Sequence, residues 1–391
     1  MMTVGNLSHM RWPIKAGLAL ALVLVAGAAW ADWPMFRLDA VHSGIIPDGS
    51  LGELTEQWAT LLGDSVDSSP AVSGGVVYVG TSEGDMCAVS AGDGAEIWRY
   101  RTGGAIVSSP AVVGGLVLFG SVDRFLYAVN AATGQLAWKY RTYGSIIASP
   151  ACDEGVVYFG SIGGRVYACS IADGRVIWRS GKGSAIQASP AVAGGLVFCG
   201  DEEGKLRALR AADGTQVWEY QASGKVVAGP VVGDEVVIFL IMSPTQLRPP
   251  KIDHIIALRR DSGEKVWAQN EARSVLSTPV IAGDRVYFVT VEGYLSQTMV
   301  RAASVHDGSE LWEKRRKTRG RAVGGVVDSS PILVGDKLCF GCHDGNLYVI
   351  DTAEGDVVRK VPLAQKVYSS PAFSDGRIYI GADDGKLHCL E

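Results

Sequence analysis

The sequence lacks the short motifs by which most catalytic sites are recognised. It has no glycine-rich phosphate loop after a strand, no His-Glu-x-x-His and no nucleophile elbow that joins a strand to a helix. Its six histidines are scattered along the chain. No apolar 3.6-residue period runs long enough to form the helices of a solenoid, which excludes that fold. These absences leave the chain without a motif that assigns a reaction.

Positive charge is not in excess either. The chain carries 36 Lys and Arg against 41 Asp and Glu, a formal net charge of −5, which argues against general nucleic-acid binding. A long apolar run occurs near the start, where Arg11 and Lys15 precede Ala16–Ala26 and Ala29-Trp30-Ala31 fits a cleavage site. We therefore predict a signal peptide over 1–31 and a periplasmic or secreted protein. Retention of the run as a membrane anchor is the alternative.

The cysteines form no recognisable disulfide framework. Seven follow the predicted cleavage site, an odd number that leaves at least one free thiol in an exported protein. Cys87 and Cys389 stand at positions where other parts of the chain have tyrosine or alanine. Because those are packing positions, we expect most of the cysteines to be small buried hydrophobic residues.

What the sequence does contain is a repeat of about 40 residues. Each unit has a Ser-Pro or similar step and reads as four short strands rich in Val, Ile, Tyr and Phe, and seven tryptophans recur with the repeat. Gly-Gly, Glu-Gly, Asp-Gly or Thr-Gly pairs separate the strands and indicate turns. The eight units are marked by prolines at Pro70, Pro110, Pro150, Pro190, Pro230, Pro279, Pro331 and Pro371.

Four short antiparallel strands repeated radially predict an all-β, eight-bladed β-propeller. The last unit stops at Glu391, after its third strand, and a further strand with Trp58 is available around 54–60. We expect this N-terminal strand to complete the last blade and close the ring. The predicted organisation is a signal peptide at 1–31, an N-terminal segment at 32–53 and one propeller domain at 54–391.

Six units carry an Ala-x-x-x-x-(Asp/Thr/Ser)-Gly-x-x-x-Trp pattern, as at Ala88–Trp98 and Ala128–Trp138. This pattern resembles the tryptophan-docking repeat of the pyrroloquinoline-quinone-type (PQQ-type) eight-bladed propellers. Asp32-Trp33-Pro34-Met35-Phe36-Arg37, with Asp39, His42, Ser43 and Gly44, resembles the opening of bacterial members. That superfamily includes quinoprotein alcohol dehydrogenases and the non-catalytic B lipoprotein of the outer-membrane β-barrel assembly machinery. No cysteine lies near the predicted cleavage site, so the sequence does not predict a lipid anchor.

The resemblance implies a binding or scaffold protein of the cell envelope, acting as a monomer on a protein partner. A PQQ-dependent dehydrogenase with a reduced site is the alternative. The candidate residues for a cofactor in the funnel are Asp67, Gln187, Asp328 and Tyr368, and the two acids could approach a shared Ca²⁺. They belong to a ring of residues that precede the Ser-Pro steps: Asp67, Val107, Ile147, Gln187, Val227, Leu276, Asp328 and Tyr368. Against a cofactor, the chain has no adjacent Cys-Cys pair, which the quinoprotein alcohol dehydrogenases have.

Cys339-Phe340-Gly341-Cys342-His343 matches the motif for covalent attachment of a c-type haem. The repeat gives a different interpretation, because Cys339 takes a core position of the second strand and Gly341 is a repeat glycine. We therefore expect no haem. Haem-based electron transfer stays open as a third function.

Basic residues concentrate in two insertions of the fifth to seventh units. One insertion contains Arg248 and Lys251, and the other places six basic residues in the eight positions 314–321. A solvated loop is the ordinary interpretation of such a run. The alternative is a docking surface for an acidic partner or for anionic lipid headgroups at the membrane surface. Its predicted partner-binding residues are Arg248, Lys251, Lys314, Arg315, Arg316, Lys317, Arg319 and Arg321.

Overall fold

The computed structural model describes residues 32–242, 254–269, 273–274, 277–292, 297–314, 326–363 and 366–391. Within these ranges every regular element is a β-strand. In the described part of the chain, no helix is long and apolar enough to cross a bilayer. Eight sheets are arranged in a ring, and their strands pair antiparallel except where Ile45–Ile46 pairs parallel with Ile332–Val334. The predicted eight-bladed propeller with four-stranded antiparallel blades is confirmed.

Two strands precede the blades, β1 (Ile45–Ile46) and β2 (Glu56–Leu61). The first four blades are regular and contain four strands each. Blade 1 holds β3 (Ala71–Ser73), β4 (Val76–Gly80), β5 (Asp85–Ser90) and β6 (Glu96–Arg101), and blade 2 holds β7 (Ala111–Val113), β8 (Leu116–Gly120), β9 (Phe125–Asn130) and β10 (Leu136–Arg141). Blade 3 holds β11 (Ala151–Asp153), β12 (Val156–Ser161), β13 (Arg165–Ser170) and β14 (Val176–Arg179), and blade 4 holds β15 (Ala191–Ala193), β16 (Leu196–Gly200), β17 (Lys205–Arg210) and β18 (Gln216–Gln221).

Blades 5 and 6 each carry one additional short strand, β19 (Lys225–Val226) and β24 (Arg273–Ser274). The rest of blade 5 is β20 (Val231–Val232), β21 (Val236–Met242), β22 (Ile255–Arg259) and β23 (Lys265–Gln269), and that of blade 6 is β25 (Val280–Ala282), β26 (Arg285–Glu292), β27 (Gln297–Ser304) and β28 (Glu310–Lys314). Blade 7 holds β29 (Ile332–Val334), β30 (Lys337–Gly341), β31 (Asn346–Asp351) and β32 (Val357–Pro362), and blade 8 holds β33 (Ala372–Ser374), β34 (Arg377–Gly381) and β35 (Lys386–Leu390).

Blade 8 receives its fourth strand from the other end of the chain. Strand β2 pairs antiparallel with β35, from Glu56 opposite Leu390 to Leu61 opposite Lys386. Backbone bonds between Thr55 and Glu391 continue this pairing in both directions, at 2.7 and 3.0 Å. The pairing leaves no open edge on β35, so the first and last parts of the chain hold the ring together.

The repeated tryptophans join each blade to the next. Trp98 donates its indole N–H to the carbonyl of Ala131 at 2.8 Å, and a Cβ on Gly134 would lie 2.7 Å from the Trp98 ring. Gly134 has φ of +70° and so provides both the turn and the space for the ring. The same indole-to-carbonyl bond is made by Trp58, Trp138, Trp178, Trp218, Trp267 and Trp312.

Blade 7 has Arg359 at the tryptophan position. Its guanidinium donates to the carbonyl of Gly52, which precedes β2, at 2.6 Å. The acceptor therefore comes from the N-terminal segment, because the next blade is completed by the N-terminal strand rather than by a following turn. From the sequence we expect the loss of tryptophan to weaken the seam, that is, the contact between blades 7 and 8. The structure shows that Arg359 makes a different contact there. The stability of this seam relative to the others stays a prediction.

A belt of serine hydroxyls runs around the channel. The Ser109 hydroxyl accepts the Ser69 amide at 3.1 Å, and the Ser149 hydroxyl accepts the Ser109 amide at 3.0 Å. Such bonds continue through Ser189, and those of Ser330 and Ser370 return to Ser69. Gly229 interrupts the belt in blade 5, and a Cβ there would lie 3.2 Å from the His42 ring. The His42 ring therefore fills the space beside Gly229.

The N-terminal segment (32–53) crosses the centre of the ring at the end opposite the turns that join second and third strands. Its carbonyls accept amides from the innermost strands of five blades, the donors being Val72, Val112, Val192, Val232 and Leu333. Arg37 extends the contacts to blade 6, where it donates to the carbonyl of Thr278. The segment therefore braces most of the ring from within.

Two buried titratable groups hold this segment. Arg37 is 1% exposed, and burial lowers its pKa to about 9, so it stays charged at neutral pH. Its guanidinium donates to two backbone carbonyls, those of Thr278 and Ser43. His42 lies with Nδ1 2.9 Å from the carbonyl of Pro230. Burial lowers the pKa of His42 to about 4, so its ring is neutral at pH 7.

Candidate functional site

One end of the propeller is formed by two kinds of loop: the turns between second and third strands and the connections between blades. Their backbones are bonded in each regular blade, for example the amide of Val122 to the carbonyl of Ala105 at 2.9 Å and the amide of His343 to the carbonyl of Val326 at 3.0 Å. The amides of Ser82, Ile162, Glu202 and Asp383 donate equivalent backbone hydrogen bonds. The prediction that these loops share a face is confirmed for these blades, and we call it the loop face.

The residues that precede the Ser-Pro steps line the channel at the loop face, and we call them the mouth ring. The structure describes seven of the eight, since Leu276 lies outside the described residues. The repeat brings each mouth-ring residue near the turn residue 15 positions later in the chain. Gln187 donates to the carboxylate of Glu202 in this way, and Asp328 meets His343.

Asp328, His343 and Tyr368 form a polar cluster between blades 7 and 8. His343 Nε2 lies 3.0 Å from Asp328 Oδ2, within ion-pairing distance. The imidazole also meets the Tyr368 ring edge to face, with centroids 4.5 Å apart. Burial raises the pKa of Asp328, and the neighbouring His343 opposes that rise. The structure thus brings together two residues predicted as funnel candidates and one from the haem-like motif.

The other predicted funnel residues lie apart from this cluster. Asp67 accepts a hydrogen bond from the Ser65 hydroxyl at 2.5 Å. Glu202, which holds Gln187, also pairs with Lys225 at 3.2 Å. Asp67, Gln187 and Asp328 each have a polar neighbour in the loop face, whereas Asp328 Oδ1 is buried without a hydrogen-bond partner among the described residues.

The described residues do not fit a Ca²⁺–quinone site. Ca²⁺ takes about six to eight oxygen ligands, whereas Asp67 is bonded to Ser65 and Asp328 lies against His343. Across the described ranges, no group of three or more His, Cys, Asp or Glu is placed to hold a metal ion. The idea that Asp67 and Asp328 share one cation gains no support from this geometry.

The haem-like motif lies in the core of blade 7. Cys339 is in β30 opposite Ile332 and Val349, and neither Cys339 nor Cys342 exposes any surface. Burial raises the pKa of both thiols to about 12, so both stay protonated. These positions support the interpretation of the motif as core packing. All seven cysteines are free and buried, as predicted for most of them.

The basic docking surface cannot be placed in the structure. Arg248, Lys251, Arg315, Arg316, Lys317, Arg319 and Arg321 lie outside the described residues, as does the side chain of Lys314. The strands before these insertions, β21 and β28, end on the side of the loop face, since β28 runs antiparallel to β27 from Glu310 to Lys314. The docking role of these residues stays a prediction.

Sequence reasoning missed the pairing of Asp328 with His343 and the contacts of Glu202. A signal for both exists in the repeat, because a mouth-ring residue and the turn residue 15 positions later share one blade and one face. Polar side chains at both positions of such a pair occur at 67 and 82, at 187 and 202 and at 328 and 343. The pairs at 107 and 122 and at 147 and 162 are apolar instead.

The ring of eight four-stranded blades, with indole docking between blades, defines the class of PQQ-type β-propellers. The family model described as outer membrane protein assembly factor BamB matches residues 52–179, 141–243 and 250–391. These ranges span most of the chain, which therefore belongs to this family. No curated protein matches the chain.

Solved structures share the fold at low sequence identity. BamB from Moraxella catarrhalis is 17% identical with a TM-score of 0.69, over 86% of this chain and 99% of that one. Quinohemoprotein alcohol dehydrogenase from Comamonas testosteroni is 15% identical with a TM-score of 0.76, over 92% of this chain and 80% of that one. A europium-containing methanol dehydrogenase is 13% identical with a TM-score of 0.75, over 92% of this chain and 98% of that one. At these identities the likeness concerns the fold alone.

Proposed function

We propose that the chain is a non-catalytic binding propeller of the cell envelope that mediates protein–protein contacts in outer-membrane protein assembly. The observation that carries this proposal is the apolar surface of the loop face. Val107 and Val122 are 41% and 40% exposed, and Tyr143 is 76% exposed. Exposed apolar side chains that cluster on one face mark surfaces for macromolecular contacts.

The polar part of the same face supports binding rather than chemistry. The carboxylates of Glu202 and Asp328 are each held by neighbouring side chains. The family description supplies the setting, because outer membrane protein assembly takes place in the envelope. Export through a signal peptide at 1–31, a monomeric state and peripheral membrane contact through the basic insertions belong to the same proposal.

A PQQ-dependent dehydrogenase is the second candidate. The observation in its favour is the cluster of Asp328, His343 and Tyr368 at the channel mouth, in a fold shared with quinohemoprotein alcohol dehydrogenase. The donor set described above does not fit the metal and quinone of such an enzyme. We therefore place this function second.

Photo-crosslinking in intact cells tests the binding role. A benzophenone amino acid at Val122 or Tyr143 should form adducts with one or a few discrete partners on irradiation, because both side chains project from the loop face. The matched control is Ala132, an exposed residue in a turn at the opposite end of blade 2. Adducts of equal yield from Ala132, or none from either loop-face position, would contradict the proposal.

A further inference from the structure

Two blades contain a tyrosine–carboxylate hydrogen bond built on the turn between their second and third strands, and in blade 7 a cation joins it. In blade 2 the hydroxyl of Tyr127 donates to Asp123 Oδ2 at 2.7 Å, and in blade 7 that of Tyr348 donates to Asp344 Oδ2 at 2.7 Å. Lys360, directly opposite Tyr348 on the neighbouring strand, also reaches Asp344 Oδ2, at 3.1 Å. A carboxylate is thus held between a tyrosine and a cross-strand cation.

Blade 3 has the tyrosine and the cation but not the carboxylate. Tyr167 is 1% exposed and lies opposite Arg179, as Tyr348 lies opposite Lys360. The position of the acid is taken by Gly163. The other described turns of this kind each have an acid there, namely Glu83, Asp123, Glu203, Asp344 and Asp384.

The loss of the carboxylate leaves polar groups without their repeat partner. The buried hydroxyl of Tyr167 has no hydrogen-bond partner among the described residues, although the amide of Tyr143 lies close to it. No carboxylate in the described part of the chain pairs with Arg179, whereas the equivalent Arg99 pairs with Asp85 at 2.9 Å. The Tyr140 hydroxyl is a hydrogen-bonding neighbour of Arg179. The buried Tyr167 hydroxyl and the exposed Arg179 guanidinium thus both lack the carboxylate that the turn supplies in blade 7.

A cavity of about 470 Å³ opens at this place. Three cations line it, Arg165, Arg179 and Lys182, and the guanidinium of Arg165 donates to the carbonyl of Ser180. Tyr143 and Ile162 add apolar surface to the wall. Pockets that bind small molecules have volumes of roughly 300–1,000 Å³. The space therefore exceeds what one carboxylate group needs.

We propose that this pocket binds the carboxylate of an acid supplied from outside the chain, either a small organic acid or an acidic side chain of another molecule. The carboxylate lies beside Gly163, where the other described turns of this kind have an acid. The guanidinium of Arg179 donates to both of its oxygens, and Lys182 adds positive charge. The rest of the ligand lies against Tyr143 and Ile162. The site does not depend on the proposed function, because it is complete within one chain.

A titration of the purified mature protein with 4-fluorobenzoate, followed by fluorine NMR, tests the site. We expect saturable binding to the unmodified protein. Arg179→Gln should weaken it by about tenfold or more, because a charge-assisted bidentate contact is lost. Tyr167→Phe should leave it nearly unchanged, since Tyr167 is buried and does not line the pocket. Lys139→Gln is the matched control, because Lys139 is the equivalent of Arg179 in blade 2, where Asp123 is present.

Gly163→Asp gives the sharpest result. It returns an internal carboxylate to the turn, so it should abolish 4-fluorobenzoate binding and raise the melting temperature. A Cβ at 163 would lie 3.1 Å from the nearest atom, the amide nitrogen of Gly144, which a small shift of the turn can accommodate. Binding that is retained in Gly163→Asp, or unchanged in Arg179→Gln, would overturn the proposal.

Competition experiments identify the source of the carboxylate. One competitor is a blocked peptide with a central glutamate, and the other is free glutarate. If the peptide displaces 4-fluorobenzoate at the lower concentration, the carboxylate comes from an acidic side chain of another molecule. The reverse order supports a small organic acid. If sulfate displaced 4-fluorobenzoate as effectively as glutarate does, the assignment to a carboxylate would be overturned. The proposal would also be overturned if no acid bound saturably.

Discussion

Replacing Gly385 with alanine is expected to lower the free energy of unfolding by at least about 3 kcal/mol, a loss seen only where backbone or core is disrupted. Gly385 lies in the turn of blade 8 before β35, with φ of +78°. A Cβ there would lie 1.8 Å from the carbonyl oxygen of Gly63, at the connection that leaves β2. Backbone must move, because the obstructing atom belongs to a peptide group. The contact lies at the seam where the ring closes.

Gly376→Ala is the matched control for this variant. Gly376 also has φ of +78° and lies in blade 8, but a Cβ there would meet nothing within 4 Å. Its alanine variant should lose only about 1–2 kcal/mol through the left-handed backbone. Chemical denaturation of both variants measures the difference. Equal losses for the two would show that the contact with Gly63 does not hold the seam.

Lowering the pH from 7 to 4 is expected to cost about 3 kcal/mol of stability through His42 alone. In the unfolded chain histidine titrates near its ordinary pKa of about 6.5, whereas burial holds the pKa of His42 at about 4 in the fold. Between these values the unfolded state binds a proton that the folded state does not. Stability contributed by the neutral ring is therefore complete above pH 6.5 and falls as the pH drops through this window. The nearby charge of Arg37 acts in the same direction.

His42→Asn removes the titration and retains a donor toward the carbonyl of Pro230. The variant should be less stable than the parent at pH 7, and the gap should shrink by about 3 kcal/mol at pH 4. Phe36→Leu controls for general weakening of the segment, since Phe36 packs edge to face on His42 with centroids 5.2 Å apart. It should keep the pH dependence of the parent. Parallel curves for parent and His42→Asn would contradict the account.

The architecture could be predicted because it follows from turn residues and from the spacing of the repeat, both of which are visible in the sequence. The first five of the repeated prolines, and the first five of the repeated tryptophans, are each 40 residues apart, and the glycine of each Asp-Gly or Thr-Gly turn precedes its tryptophan by four residues. A repeat unit that packs on its neighbour produces the same contact at every seam, so Trp98 and Trp138 make the same bond. The missing fourth strand of the last unit indicated that β2 would pair with β35.

Contacts outside the repeat could not be predicted in the same way. Arg37 and His42 contact Thr278 and Pro230, which are about 240 and 190 residues later in the chain, and no period connects them. Gly163 is visible in the sequence as a departure from the repeat. Its meaning needed the bond between Tyr348 and Asp344 in another blade. The basic insertions gave a prediction from composition alone, and their residues other than Lys314 lie outside the described ranges.

The central claim is that this propeller binds a partner and carries out no quinone chemistry. A titration of the purified mature protein with PQQ in the presence of Ca²⁺, followed by tryptophan fluorescence, tests it most directly. The claim predicts no saturable, Ca²⁺-dependent quenching at micromolar cofactor, because the seven described residues of the mouth ring provide no oxygen cage for the ion. Saturable quenching that required Ca²⁺ and disappeared in Asp328→Asn would contradict the claim and favour the dehydrogenase.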